Sequence, residues 1–133
     1  IISNLSSKSA FDIIVLIENL QFYDQYIKLL KQTFESIKPG GFLLISAPLV
    51  INSQKNITRA KYGSDNMIKN LKEPIVYPNH RSSKNELLCF THFGWNILEE
   101  LKEIGFKNAE IMEYWSLPEG ILGSDNYNIL ARR

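Results

Sequence analysis

Two histidines, a single cysteine and a scatter of carboxylates and tyrosines carry most of the reactive chemistry available to this 133-residue chain. A histidine titrates near neutral pH and suits general-base work. His80 lies in Tyr77-Pro78-Asn79-His80, where Pro78 restrains the backbone, and is the better candidate for a catalytic base. His92 reads as solvated or hydrogen bonded. Cys89 sits among Leu87, Leu88 and Phe90 and reads as a buried, inert thiol. Glu18 directly follows an apolar run, where a carboxylate can accept hydrogen bonds from ligand hydroxyls or an ammonium group, or simply face solvent as a loop residue. There is no G-x-G-x-x-G, no P-loop, no nucleophile elbow, and no paired Cys or closely spaced His that would hold a metal. Asn4-Leu5-Ser6 and Asn56-Ile57-Thr58 match the glycosylation acceptor pattern and read as chance matches.

The elements that must position these groups are legible from periodicity. Residues 11–17, Phe-Asp-Ile-Ile-Val-Leu-Ile, predict a strand buried on both faces. A helix follows, with Asp24 as its expected N-cap and Ile27, Leu30, Phe34 and Ile37 on one face. Lys38-Pro39-Gly40-Gly41 is read as the turn that stops it, and Phe42–Ala47 as a second buried strand. The segment 49–90 has weak periodicity and is expected as a long loop or lid, with a short helix near 64–71 as its one candidate element. Trp95, Leu98, Leu101 and Ile104 then sit at helical spacing, Gly105 ends that helix, and Ala109–Trp115 and Tyr127–Ala131 predict two closing strands. The order β-α-β, long loop, α-β-β makes this one α/β domain over 1–133, whose last two strands, lacking a helix between them, can pair antiparallel.

Composition sets the outer limits. Apolar residues form 44% and charged residues 22% of the chain, a globular balance. No apolar run approaches the roughly 20 residues of a membrane helix, and a single cysteine cannot form an internal disulfide. Without a visible signal peptide, the expectation is a cytoplasmic protein away from membranes. The net charge of +1 conceals a segment, residues 51–86, with seven basic and three acidic residues. Such a segment can meet an anionic ligand, although a solvated loop is the simpler reading. The near-neutral total and the lack of a binding motif argue against nucleic acid.

Ligands of open α/β sheets bind beyond the carboxyl ends of the strands. That rule alone puts a pocket between Ile17, Glu18 and Asn19 after the first strand, Pro48 after the second, and the 49–90 segment. Tyr62, Tyr77 and His80 are the polar candidates that this segment offers to a substrate.

Phe11-Asp12-Ile13-Ile14-Val15, Leu20, Asp24, Leu29-Leu30 and Ile37-Lys38-Pro39-Gly40-Gly41-Phe42 through Pro48 resemble the second half of class I S-adenosylmethionine-dependent methyltransferases. Phe93-Gly94-Trp95-Asn96-Ile97-Leu98, Gly105-Phe106, Tyr114-Trp115-Ser116, Leu122-Gly123 and Ile129-Leu130-Ala131-Arg132 resemble the family's following helix and closing strands, in its small-molecule branch. The resemblance implies a partial Rossmann-like sheet with a reversed last strand, the strands being the family's fourth to seventh. It implies S-adenosylmethionine as cofactor, with Ile17, Glu18 and Asn19 at its methionine end, and a small-molecule acceptor. Where the family often has Glu-His, this chain has Gln21-Phe22.

The family's glycine-rich loop and ribose-binding acid have no counterpart here, and the chain opens on Ile1-Ile2 rather than methionine. The expectation is therefore a C-terminal portion of a methyltransferase, inactive alone. The alternative is a non-catalytic methyltransferase-like module that binds or dimerises through the free edge of Phe11–Ile17.

Overall fold

The computed structural model describes residues 8–78, 86–123 and 126–133. Its centre is a four-stranded sheet in the order β1 (Phe11–Ile17), β2 (Ile37–Ser46), β10 (Tyr127–Arg132), β9 (Asn108–Glu113). β1 and β2 are parallel and joined by α1 (Tyr26–Ser36), while β10 runs antiparallel to both β2 and β9. α2 (Ile97–Ile104) precedes β9.

Both helices pack on one face of this sheet. Leu29 and Leu30 of α1, Ile97 and Leu101 of α2, Leu43 and Ile45 of β2, and Ile129 and Ala131 of β10 form one buried cluster with Phe93 and Phe106. The 3.6-residue spacing of the helices and the two-residue spacing of the strands converge on it. Phe34 and Phe106 meet edge to face at 5.0 Å. Arg133 closes the far end of α1: its guanidinium donates to the carbonyls of Glu35 and Ile37 and lies over the Phe34 ring.

Several expectations are corrected. β1 is not buried on both faces. It is a sheet edge, and Ile13 (60% exposed), Val15 and Ile17 (69% exposed) point to the face opposite the helices. The apolar run correctly marks a strand, but the described residues cover it on one side only. Asp24 does not cap α1. A 3-10 turn over Leu20–Phe22 takes up the chain after β1, so α1 begins at Tyr26, with Gln25 at the cap position and no side-chain cap bond. Ile37 belongs to β2 rather than to the helix, and Lys38–Gly41 continues that strand. A register shift between Phe11 and Ile13 absorbs the irregularity. Gly41 is required there because a Cβ would lie 2.5 Å from the Asp12 carbonyl oxygen.

The 49–90 segment is not a bare loop. It carries β3 (Ile57–Thr58), β4 (Ala60–Tyr62), β5 (Ile68–Asn70), β6 (Val76–Pro78) and β7 (Glu86–Leu88). β4 pairs β5, β6 pairs β7, and β3 pairs β8 (Thr91–His92), all antiparallel. The helix expected near 64–71 is a hairpin instead. Gly63, Asp65 and Asn66 (φ 57°) make a tight turn, with Met67 N–H donating to Asp65 Oδ1, and turn chemistry outweighs helical spacing over so short a stretch. Trp95 stands ahead of α2 rather than inside it, half-buried, and its indole N–H donates to the Ile51 carbonyl at 2.8 Å. The strand expected over Ala109–Trp115 ends at Glu113. No helix among the described residues is long and apolar enough to cross a membrane.

Candidate functional site

The site is built outward from the carboxyl end of β1. Glu18 takes φ +44°, a left-handed conformation that costs a non-glycine residue about 1–2 kcal/mol. Its N–H still donates to the Ser46 carbonyl, extending the β1–β2 ladder by one bond. The strained turn leaves the Glu18 carboxylate held between neighbours: Ser46 Oγ donates to it at 2.6 Å and Gln21 Nε2 at 3.3 Å. Gln21 is buried by the 3-10 turn, and its Oε1 has no hydrogen-bond partner among the described residues. An orphaned buried acceptor beside a carboxylate calls for an explanation. Here the pair makes an electronegative spot at a strand end, suited to a ligand donor.

Arg59, Tyr77, Cys89, Phe90 and His92 form the second wall. The Phe90 N–H donates to the Gln21 carbonyl, and the Phe22 ring meets Tyr77 edge to face at 5.7 Å. Tyr77 on β6 lies within hydrogen-bond reach of His92 Nε2 at 3.4 Å, and Arg59 Nε donates to His92 Nδ1 at 3.2 Å. Burial pushes the Tyr77 phenol up, and the nearby Cys89 and Glu18 push in the same direction against Arg59. Burial, aided by Arg59, pulls His92 down, so its imidazole is neutral at neutral pH. Burial likewise raises Cys89, whose thiol donates weakly to the Thr91 carbonyl.

Glu18, Gln21, Tyr77, His92 and Arg59 therefore share one polar neighbourhood at this edge. Of the residues nominated from sequence, Ile17 and Asn19 flank Glu18. Tyr62 joins indirectly, stacked on Phe90 at 5.4 Å. Pro48 stands just beyond β2, its carbonyl accepting from Phe93 N–H. His80 lies outside the described residues. Arg59, Gln21 and Ser46 were missed from sequence, and His92 was left as an ordinary polar histidine. Arg59 and His92 are separated along the chain and meet only because β3 pairs β8 beside them. The departure Gln21-Phe22 from the family's Glu-His was the one available signal for Gln21.

A second cleft, about 570 Å³, opens between the start of α1, residues 54–58 and the start of α2. None of the nominated residues among those described lines it. Its Glu100 carboxylate, raised by burial, accepts from Tyr26 Oη, Asn56 Nδ2 and Asn96 Nδ2, and the Tyr26 phenol is pushed up to about 12 by burial and by Glu100. Asn56 also accepts from Gly94 N–H. These groups satisfy one another and staple the segment to both helices. Asn56, in the glycosylation-like match, has its amide nitrogen committed to Tyr26 and Glu100.

No protein-family model and no curated relative matches the chain. Solved structures do. An S-adenosylmethionine-dependent methyltransferase from Mesorhizobium loti superposes with a TM-score of 0.58 at 14% identity, covering 95% of this chain and 64% of its own. One from Methanosarcina mazei gives 0.51 at 14% identity, covering 96% and 61%. The Burkholderia thailandensis 1,6-didemethyltoxoflavin-N1-methyltransferase, solved with its substrate and S-adenosylhomocysteine, gives 0.50 at 17% identity, covering 99% and 48%. The fold is thus that of S-adenosylmethionine-dependent methyltransferases, and the chain spans less than two thirds of the length of these proteins.

Proposed function

We propose that this chain takes part in S-adenosylmethionine-dependent methyl transfer to a small-molecule acceptor, as the latter portion of the fold, completed by a glycine-rich portion outside these residues. The observation that carries this reading is the sheet order β1-β2-β10-β9, with β10 reversed, in a chain superposable on such enzymes. On this reading β1, β2, β9 and β10 are the family's fourth, fifth, sixth and seventh strands. The free edge of β1 is then where the rest of the sheet joins.

The residues present fit one end of the cofactor. The Glu18 carboxylate and the unpartnered Gln21 Oε1 offer two acceptors side by side, as an amino-acid ammonium needs. When bound, S-adenosylmethionine supplies an electrophilic methyl group on a sulfonium. What the chain contributes is position: Glu18 and Gln21 orient the cofactor's amino-acid end, Tyr77 and Tyr62 face the acceptor side, and the 49–90 segment excludes water.

The test is titration of S-adenosylhomocysteine into this chain, followed by calorimetry and amide NMR. Binding alone is expected to be too weak for calorimetry, with NMR shifts at high ligand concentration confined to the amides of Ile17–Phe22, Ser46 and Ala47. Tight micromolar binding overturns the incompleteness. Saturating ligand that leaves those amides unmoved overturns the cofactor assignment. A second reading, a non-catalytic module pairing through β1, is favoured by the exposure of Ile13, Val15 and Ile17 on that edge strand. A monomeric mass at all concentrations counts against it.

A further inference from the structure

Arginine remains protonated at every physiological pH and can only donate. Arg59 Nε points its N–H at His92 Nδ1, so that nitrogen must present a lone pair. The Arg59 head is itself fixed, with Nη1 donating to the Glu73 carbonyl at 3.0 Å and its backbone carbonyl accepting from Leu71 and Lys72. A neutral imidazole with an acceptor at Nδ1 carries its proton on Nε2. The group facing Nε2 is the Tyr77 hydroxyl. A phenol that accepts from Nε2–H must send its own proton elsewhere.

We propose that Arg59 locks His92 in the Nε2–H tautomer, so that His92 donates to Tyr77 and turns the Tyr77 hydroxyl into a hydrogen-bond donor for a ligand beside Glu18. His92 is then a positioning residue, not a base. The ligand atom facing Tyr77 is an acceptor, a carbonyl, carboxylate or hydroxyl oxygen or a ring nitrogen, and not a group that can only donate. This specificity rests on the acceptor-side assignment made above, whereas the hydrogen-bond polarity itself does not. The charged and titratable groups acting on the pair are Arg59 on His92, and Glu18, Cys89 and Arg59 on Tyr77. All leave a neutral His92 and a protonated Tyr77 at neutral pH.

The experiment needs neither cofactor nor acceptor, so its failure is distinct from failure of the methyltransferase reading. Long-range proton–nitrogen NMR on the wild-type chain at about pH 7 is expected to show His92 as the Nε2–H form. Arg59→Met is expected to release Nδ1 and populate the other tautomer. Wild-type His92 in the Nδ1–H or imidazolium form, or an unchanged tautomer in folded Arg59→Met, overturns the proposal. Tyr77 is followed separately by NMR of ring-labelled tyrosine, assigned with Tyr77→Phe. Loss of a donor in His92→Phe is expected to move Tyr77 ionisation to higher pH, and His92→Gln, which keeps an N–H near the Nε2 position, to restore it. Ionisation moving to lower pH in His92→Phe shows that Tyr77 was donating to His92 and overturns the proposal.

Discussion

Glu18 concentrates the local cost of the site. Its left-handed backbone is maintained while its carboxylate is held by Ser46 and Gln21, the combination expected where strain places a functional group. Comparing two truncations isolates the strain, because both lose the carboxylate. Glu18→Gly is expected to be more stable than Glu18→Ala by roughly 0.5–1 kcal/mol, the relief of a left-handed residue less the entropy of glycine, read by urea unfolding. His92 gives a pH signature. Its folded pKa lies below the ordinary histidine value, so as pH falls through about 6.5 the unfolded chain takes up a proton first. The stability present above that pH is lost as pH falls toward the folded value. Glu100, raised by burial, acts in the opposite sense as pH falls, so the measurable quantity is the wild type minus His92→Gln. That difference is expected to shrink on acidification through this window.

At the scale of elements, the β1–β2 pair decides where the site stands, because it brings Glu18 beside Ser46. The approach of the two strands at their start depends on the missing side chain of Gly41. Gly41→Ala is expected to destabilise by about 1–3 kcal/mol, the usual cost of forcing backbone apart, measured by urea unfolding. The helix-side core is a separate matter. Gly105, at φ +125° just after α2, is the stop that the sequence announced, and it lets the chain turn directly into Phe106 and β9. The start of the 49–90 segment is fixed by its staples: β3 to β8, and the Tyr26–Glu100–Asn56 network to both helices.

Among the described residues, one face of the sheet is packed and the other carries Ile13, Val15 and Ile17 in the open beside an unpaired edge. Such an edge promotes strand pairing with another chain. The isolated chain is expected to self-associate with rising concentration, and Val15→Lys, on that open face, to suppress association without lowering the thermal midpoint. Light scattering coupled to size separation reads the first and calorimetry the second. The weak binding of S-adenosylhomocysteine proposed for this chain belongs to the same picture, since the sequence carries no G-x-G-x-x-G.

Periodicity and punctuation by themselves determined the α/β class, the order of the main elements, the helix core positions Leu30 and Leu101, and the strand end on which Glu18 sits. These are local facts, set by side-chain spacing along a helix or strand and by glycine at its ends. The start of α1, the strand character of Lys38–Gly41 and the hairpins within 49–90 were not legible. Each depends on which neighbour a short segment pairs with, and few residues cannot outweigh that through their own propensity. Only the tertiary structure decided that Arg59 meets His92 and that His92 meets Tyr77. Those contacts join residues distant in sequence, and a hydrogen bond has a direction only once both of its atoms have a place.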